Sequence, residues 1–265
     1  MERVKAVILC GGRGTRMGQE TESVPKPMVQ IAGGRPILWH IMKIYSKYGV
    51  KDFVLCLGYK GDVIRSYFLN YSTFNCDFSV HLGRKDSAIL HNSCPEDWTV
   101  TLAETGQDAM TGARLKRVEQ HIDGDVFMMT YGDGVADVDV ESLLSFHLSH
   151  KRAATVTGVL PPSRFGQLLT EGDLVRDFLE KPERVVESSY INGGFFVLNR
   201  SVFEYLTEDP ECTFEREPLQ RLARDGELAV YRHPGYWQCM DTSRDLESLS
   251  KVWASGAAPW KVWED

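Results

Sequence analysis

VKAVILCGGRGTRMGQETESVPKPM, residues 4 to 28, opens on an apolar run and breaks abruptly into glycine and arginine. Val7-Ile8-Leu9 is short, apolar and bounded by glycine, the pattern of a buried strand. Gly11-Gly12-Arg13-Gly14-Thr15-Arg16 follows. Glycines let the backbone take positive φ and approach a ligand closely. Successive amide N–H groups in such a turn form a concave anion site. Arg13, Arg16 and Lys26 add three cations. Lys26 stands between Pro25 and Pro27, which narrows its backbone freedom and presets its position. The stretch predicts a strand that delivers a phosphate-binding loop to the edge of a sheet.

Other glycine loops fit less well. Gly12-x-Gly14-x-x-x-Gly18 looks like a dinucleotide fingerprint, but that motif needs a long helix directly after the loop. Pro25 and Pro27 preclude one. No Gly-Lys-Ser/Thr occurs in the loop, so it is not a Walker motif. The bland alternative is a glycine-rich surface turn with incidental arginines.

Working outward, the pattern alternates strand and helix. Met28 to Ile31 reads as a short edge strand, with Gly33-Gly34 as its turn. Pro36 suits the first turn of a helix that carries Ile37, Leu38, Ile41, Met42, Ile44 and Tyr45 and stops at Gly49. Asp52 to Leu57 is the next buried strand. Asp62 reads as the N-cap of a helix through Phe68. This order predicts parallel strands with right-handed crossovers. Residues 70 to 98 read as a hairpin and a long loop, with a strand at Val80 to Leu82. Trp98 to Leu102 alternates as a strand, and Met110-Thr111-Gly112 begins a helix with Leu115, Val118 and Ile122 on one face.

Val126 to Thr130 is a strongly apolar strand ending in Tyr131-Gly132-Asp133-Gly134. Ligands in open parallel sheets bind beyond the carboxyl ends of strands. Asp133 there suits hard Mg²⁺, which takes carboxylate and phosphate oxygens and keeps several waters. A plain turn aspartate is the alternative. Asp137 and Asp139 suit turn and capping roles before a helix from Val140 to about His150. His147 and His150 read as solvated or packed, since no carboxylate or cysteine partner accompanies them. Ala153 to Val159 is a further strand. Phe165 to Leu168 and Leu174 to Phe178 read as an antiparallel pair. Helices at Ser201 to Thr207 and Arg216 to Asp225, a strand at Glu227 to Tyr231 and a helix at Arg244 to Ser255 complete the chain. Trp253, Trp260 and Trp263 suit packing or subunit contact.

Composition bounds the function. The chain has 265 residues, 43% hydrophobic and 25% charged, with a formal net charge of −7. That charge argues against nucleic acid as the main partner. Six cysteines, none close enough for a zinc pair, suit buried free thiols in a reducing compartment. No apolar run approaches a membrane span, so a cytoplasmic protein without membrane partners is expected.

Gly11-Gly12-Arg13-Gly14-Thr15-Arg16-Met17 followed by Pro25-Lys26-Pro27-Met28 resembles the signature of the sugar-phosphate nucleotidylyltransferases. Tyr131-Gly132-Asp133 and Glu180-Lys181-Pro182 resemble the same family. The segments Ile37 to Met42, Met110 to Val118, Tyr131 to Asp137, Ile191 to Phe196 and Ala258 to Glu264 resemble its cytidylyl branch.

The resemblance implies one domain over residues 1 to 265 of an α/β, Rossmann-like fold. Its mixed, mostly parallel sheet is flanked by helices. The nucleotide-binding part lies at about 1–150, and a small antiparallel sugar-binding part at about 151–265. It implies cytidylyl transfer from CTP to glucose 1-phosphate with Mg²⁺ as cofactor, in a homo-oligomer, trimer or hexamer. Leu9, Gly11, Gly12, Arg13, Gly14, Thr15, Arg16, Lys26, Thr111, Gly112, Arg114 and Gly132 are then nucleotide-binding, with Arg16 and Lys26 catalytic. Arg114 could reach the base or the phosphates, or be a solvated first-turn residue. Gly166, Glu180, Lys181, Asn192 and Gly193 are the implied sugar-phosphate residues, although composition alone reads Glu180-Lys181 as an exposed ion pair. Asp133 and Asp241 are the implied metal ligands. Asp241 holds that role by resemblance alone, since it could equally cap the last helix. The chain departs from the pattern at Val24, where close relatives often have lysine, and at Cys10, where they have alanine. A thymidylyl- or uridylyltransferase of the same fold, and a non-catalytic sugar-nucleotide-binding subunit, are the rival readings.

Overall fold

Strand β1 (Lys5–Leu9) lies near the middle of a seven-stranded sheet, and its side chains alternate between two cores. Ala6 and Ile8 face one layer of helices, while Val7 and Leu9 face the other, as a period of two requires. The computed structural model describes residues 4–31, 34–83, 88–92, 96–161, 167–171, 174–179 and 190–264.

From β1 the chain passes through short helical turns into helix α1 (Ile37–Lys47), strand β2 (Asp52–Leu57) and helix α2 (Gly61–Leu69). Strand β3 (Thr99–Glu104), helix α3 (Thr111–Arg117), strand β4 (Val126–Tyr131) and helix α4 (Val140–His150) follow. The rest supplies strands β5 (Ala154–Val159) and β6 (Ile191–Asn199), helix α5 (Glu217–Arg224), strand β7 (Leu228–His233) and helix α6 (Ser243–Ala254). The sheet order is β7-β5-β6-β4-β1-β2-β3. β1 pairs parallel with both β2 and β4, β2 with β3, and β5 with β7. β6 alone runs against its neighbours β4 and β5. The sheet is thus mixed and mostly parallel, as the alternating pattern predicts.

The topology decides where a ligand goes. The chain moves outward from β1 through β2 and β3, then crosses to β4 on the other side of β1. The strand order therefore reverses beside β1, and a crevice opens at the carboxyl ends of β1 and β4.

One core packs α1, with Ile37, Leu38, Ile41 and Ile44, against Ala6, Ile8 and Met128. It also takes in Trp260 and Trp263 of the tail, with Trp263 edge-on to Trp39. The other packs Leu115 and Val118 of α3 with Phe127, Phe196, Phe203 and Phe214. The tail tryptophans are therefore inward packing residues: Trp253 and Trp260 meet the ring of His40 edge-on.

Several sequence expectations shift. The strand expected at Val80 to Leu82 falls instead at Phe78–Ser79, paired antiparallel with Ile89–Leu90, and Val80 and Leu82 are exposed beyond it. Lys60, with φ of 52°, is the N-cap of α2, and Asp62 sits inside its first turn, where a carboxylate still suits the helix dipole. Pro36 precedes α1 as its N-cap. The turn after β6 is a 3₁₀ helix, Arg200–Tyr205. The antiparallel pair runs over Gln167–Glu171 and Leu174–Leu179. Asp139 does cap α4, accepting from Ser142 N at 2.8 Å. His147 is buried and hydrogen-bonded with Thr155 and Asn199. Cys10, Cys56, Cys212 and Cys239 are free thiols, and among the described residues no helix is long and apolar enough to cross a membrane.

Candidate active site

The loop after β1 turns over the carboxyl edge of the sheet. Cys10 N donates to Cys56 O, which carries the β1 register one residue further. Gly14, with φ of 62°, opens a 3₁₀ turn over Thr15–Met17. Thr21 Oγ1 donates to Gly14 O at 3.1 Å and holds the turn. As the prolines dictate, only short helical segments follow: Glu20–Ser23, then a 3₁₀ turn over Lys26–Met28.

A cavity of about 610 Å³ opens over this loop. Leu9 and residues 11 to 16 form one wall, and Thr111, Arg114 and Gly132 contribute to another. Lys26, Asp133, Asn192, Gly193 and Asp241 also line it. Gly112 is not among the lining residues; it packs against Cys212 and Phe214. Gly166, Glu180 and Lys181 lie outside the described residues.

Lys26 is the centre of the cavity floor. Its Nζ donates to Asp133 Oδ2 at 2.6 Å and to Asp241 Oδ1 at 2.6 Å. Arg16 Nη2 donates to the same Asp241 oxygen at 2.8 Å. The side chain of Lys26 is 10% exposed, that of Arg16 72%. Burial pulls the Lys26 ammonium down, but Asp133 and Asp241 outweigh it and hold the pKa above the ordinary lysine value. Burial likewise pushes Asp241 up, and Lys26 and Arg16 together bring it below the ordinary carboxylate value. Lys26 and Asp241 are therefore both charged at neutral pH.

Each member is delivered by different means. Asp133 follows the end of β4, where Gly132 is squeezed between Leu9 O and Pro27. A Cβ on Gly132 would lie 2.9 Å from each, so glycine is required for β4 to meet the loop. Asp241 follows a short strand, Trp237–Cys239, paired antiparallel with Gly134–Ala136. It does not cap α6. Thr242 is that cap, in a reciprocal box with Asp245, which leaves the Asp241 carboxylate to the cavity.

Arg114 is 4% exposed, so it is no solvated first-turn residue. Its guanidinium donates to Leu57 O, Thr105 Oγ1, Gly106 O, Gly11 O and Gln107 O at 2.7 to 3.2 Å. It ties the glycine loop to the segment that follows β3. Arg13 reaches outward to Asp108 at 2.6 Å, with both side chains largely exposed.

The sequence reading missed Glu215 and the use made of Tyr131. Tyr131 Oη donates to Glu215 Oε1 at 2.6 Å, and Thr111 Oγ1 donates to Glu215 Oε2 at 2.5 Å. Nothing local in Phe214-Glu215-Arg216 distinguishes it from a solvated helix-start carboxylate. Only the folding of this segment onto α3 brings it behind Thr111 and Tyr131 of the cavity lining.

Among the described residues no group of three or more His, Cys, Asp or Glu gathers. Two carboxylates that already share one cation do suit Mg²⁺, which takes one or two protein carboxylates and completes its shell with water and substrate phosphate.

A mixed sheet with a glycine loop at its switch point and a Lys-Asp-Asp cluster beyond it is a scaffold suited to nucleotidyl transfer, and the chain belongs to the nucleotidyl transferase family, whose model matches residues 5–255. The glucose-1-phosphate cytidylyltransferase of Salmonella typhi is 51% identical over 262 residues, 98% of this chain and 100% of that protein. The probable glucose-1-phosphate cytidylyltransferase of Bacillus subtilis is 46% identical over 260 residues, 98% of this chain and 100% of that one. The crystal structure of HddC from Yersinia pseudotuberculosis shares the fold, with a TM-score of 0.67 at 23% identity, covering 94% of this chain and 99% of that one.

Proposed function

We propose that the protein transfers the cytidylyl group of CTP to α-D-glucose 1-phosphate, giving CDP-glucose and pyrophosphate. The observation that carries the chemistry is Lys26 Nζ held between Asp133 and Asp241 at the floor of the glycine-loop cavity. The choice of substrates rests on the full-length likeness to the two cytidylyltransferases.

The obstacle to this reaction is bringing two polyanions together. A phosphate oxygen of the sugar attacks the α-phosphorus of CTP, a new O–P bond forms in line, and the bond to the β-phosphate breaks. The nucleophile is already ionised near neutral pH, so no general base is required. Positioning and charge neutralisation are what the protein supplies. The amides of residues 11 to 15 and Arg16 hold the β- and γ-phosphates. Lys26 bridges the α-phosphate and the incoming sugar phosphate, exchanging carboxylate oxygens for phosphate oxygens of the same charge. Asp133 and Asp241 would hold Mg²⁺, which neutralises and polarises phosphate oxygens when bound. Gly166, Glu180, Lys181, Asn192 and Gly193 receive the sugar phosphate. Glu180 can accept hydrogen bonds from vicinal hydroxyls, and Lys181 can reach the phosphate.

Leu69, Phe74, Val80, Leu82, Ile89 and Leu90 are exposed apolar side chains that a neighbouring subunit would cover, and they favour a homo-oligomer, trimer or hexamer; sedimentation of the pure protein decides this. A cytoplasmic setting accords with buried free Cys10 and Cys56.

Pyrophosphate release and chromatography of the product test the substrates. CTP with glucose 1-phosphate is expected to give CDP-glucose at least tenfold faster than UTP or dTTP. Faster turnover of either rival would make this a uridylyl- or thymidylyltransferase. Nucleotide binding without turnover of any pair would make it a non-catalytic subunit.

A further inference from the structure

A short polar relay joins the wall at Thr111 to the wall at Asn192, and one carboxylate sits at its middle. Glu215 accepts from Thr111 Oγ1 at 2.5 Å with one oxygen and from Tyr131 Oη at 2.6 Å with the other. Because Tyr131 gives its only proton to Glu215, its oxygen must act as acceptor toward its second partner. That partner is Asn192 Nδ2, at 3.1 Å. The amide of Asn192 is thereby oriented with its nitrogen toward Tyr131 and its oxygen toward Gly194 N, which donates to Oδ1 at 2.8 Å.

The surroundings are built to hold this relay. The segment bearing Glu215 is stitched onto the start of α3: Met110 N donates to Pro210 O, Ala113 N to Cys212 O, and Phe214 N to Thr111 Oγ1. Gly194 has φ of 83°, and a Cβ there would lie 2.6 Å from the Tyr131 ring, so this turn and this ring fit only with glycine. Asn192 and Tyr131 both line the cavity. A carboxylate is the side chain the relay needs, since it alone accepts at both ends. Glutamine would have to donate at one end and would reverse one of the two hydroxyls.

The geometry points to Glu215 as a positioning residue that sets the amide orientation of Asn192, through the Tyr131 hydroxyl, for recognition of the acceptor sugar phosphate. With its oxygen bound to Gly194 N and one N–H bound to Tyr131, Asn192 keeps one N–H in hand. A donor suits a hydroxyl or phosphate oxygen. Thr111, at the other end of the carboxylate, is held in the same way, so one charged group keeps both walls of the cavity in register. The inference rests on the sugar-phosphate role proposed above for Asn192.

The test is a steady-state comparison of wild type, Glu215→Ala, Glu215→Gln and Tyr131→Phe, varying each substrate at saturation of the other. Tyr131→Phe removes the hydroxyl that links Glu215 to Asn192 and leaves the bond between Thr111 and Glu215 in place. It is expected to raise the KM for the sugar phosphate about tenfold and to leave the KM for the nucleotide within twofold. Glu215→Ala is expected to match it on the sugar side, with Glu215→Gln between it and wild type. The double variant Glu215→Ala/Tyr131→Phe is expected to be no worse on the sugar side than either single one, because both cut the same relay. Equal rises in both KM values for Tyr131→Phe, or additive sugar-side losses in the double variant, would overturn the inference in favour of a merely structural carboxylate. If Glu215→Ala does not fold, Tyr131→Phe alone decides through the same split. A wild type that turns over another sugar phosphate is assayed with that acceptor, so an error in the proposed substrate and an error in the relay give different results.

Discussion

Lys26 and Asp133 stand 107 positions apart in the chain and meet at 2.6 Å on the floor of the cavity. Asp241 reaches the same ammonium from a third segment at the same distance. A cation already sits where two carboxylates converge, and the cluster is poised to trade that cation for others.

That arrangement predicts strict dependence on a divalent cation. Asp133→Asn and Asp241→Asn are each expected to reduce turnover by at least 10²-fold at ordinary Mg²⁺, consistent with metal charge stabilisation worth several kcal/mol. Raised Mg²⁺ is expected to restore part of it. Near-normal turnover in either variant at low Mg²⁺ would remove that residue from the metal site. Circular dichroism should show both variants folded.

Arg114 is expected to act through stability as much as through binding. Its guanidinium satisfies carbonyls from β2, the phosphate loop and the segment after β3. Arg114→Met leaves those acceptors partly unpaired, at roughly 1–3 kcal/mol for each buried orphan. Since some will find water, a net loss of about 2–4 kcal/mol by urea unfolding is expected, with a raised KM for the nucleotide. A fully stable variant would show that Arg114 is not the strut described.

The acid limb of the stability curve should carry a histidine signature. His40 is fully buried among Trp39, Trp253, Trp260 and Trp263, and burial, with Arg35 nearby, pulls its pKa down to about 3. Its ring nitrogens have no hydrogen-bond partner among the described residues. The unfolded chain binds that proton near pH 6.5. The folded state therefore keeps this contribution above about pH 6.5 and loses it as pH falls toward 3, at no more than about 1.4 kcal/mol per pH unit. His147, also lowered by burial, adds to the same limb. His40→Phe should flatten the limb measurably without loss at pH 8. An unchanged acid limb would mean that His40 reaches water.

Trp260 is 0% exposed and stacks on Tyr236, which adjoins the strand leading to Asp241. Trp260→Ala is expected to lower stability by about 3–5 kcal/mol, the usual range for a large buried aromatic. Thermal melting checks this. A loss under 1 kcal/mol would return the tail to the surface.

The sequence was most legible where chemistry and chain position coincide. Val7-Ile8-Leu9 before Gly11-Gly12 could only be a buried strand and a loop, and Pro25 and Pro27 excluded the long helix of a dinucleotide fold. The pairing of Lys26 with Asp133 and Asp241 was not written locally, because three distant segments supply it. Residue pattern alone left Asp241 open between metal ligand and helix cap, and the mutual capping of Thr242 and Asp245 removes the second. Arg114 stood open between a ligand-facing and a solvated first-turn arginine, and only the folded neighbours show the carbonyls that draw it in. Glu215 carried no signal, since its partners lie 84 and 104 positions away.

The most direct test of the central claim is the steady-state kinetics of Lys26→Ala with CTP, glucose 1-phosphate and Mg²⁺, alongside its melting temperature. The account predicts a folded protein whose kcat/KM falls by about 10²–10³-fold, roughly 3–4 kcal/mol of transition-state stabilisation. A folded variant that loses less than tenfold would contradict it.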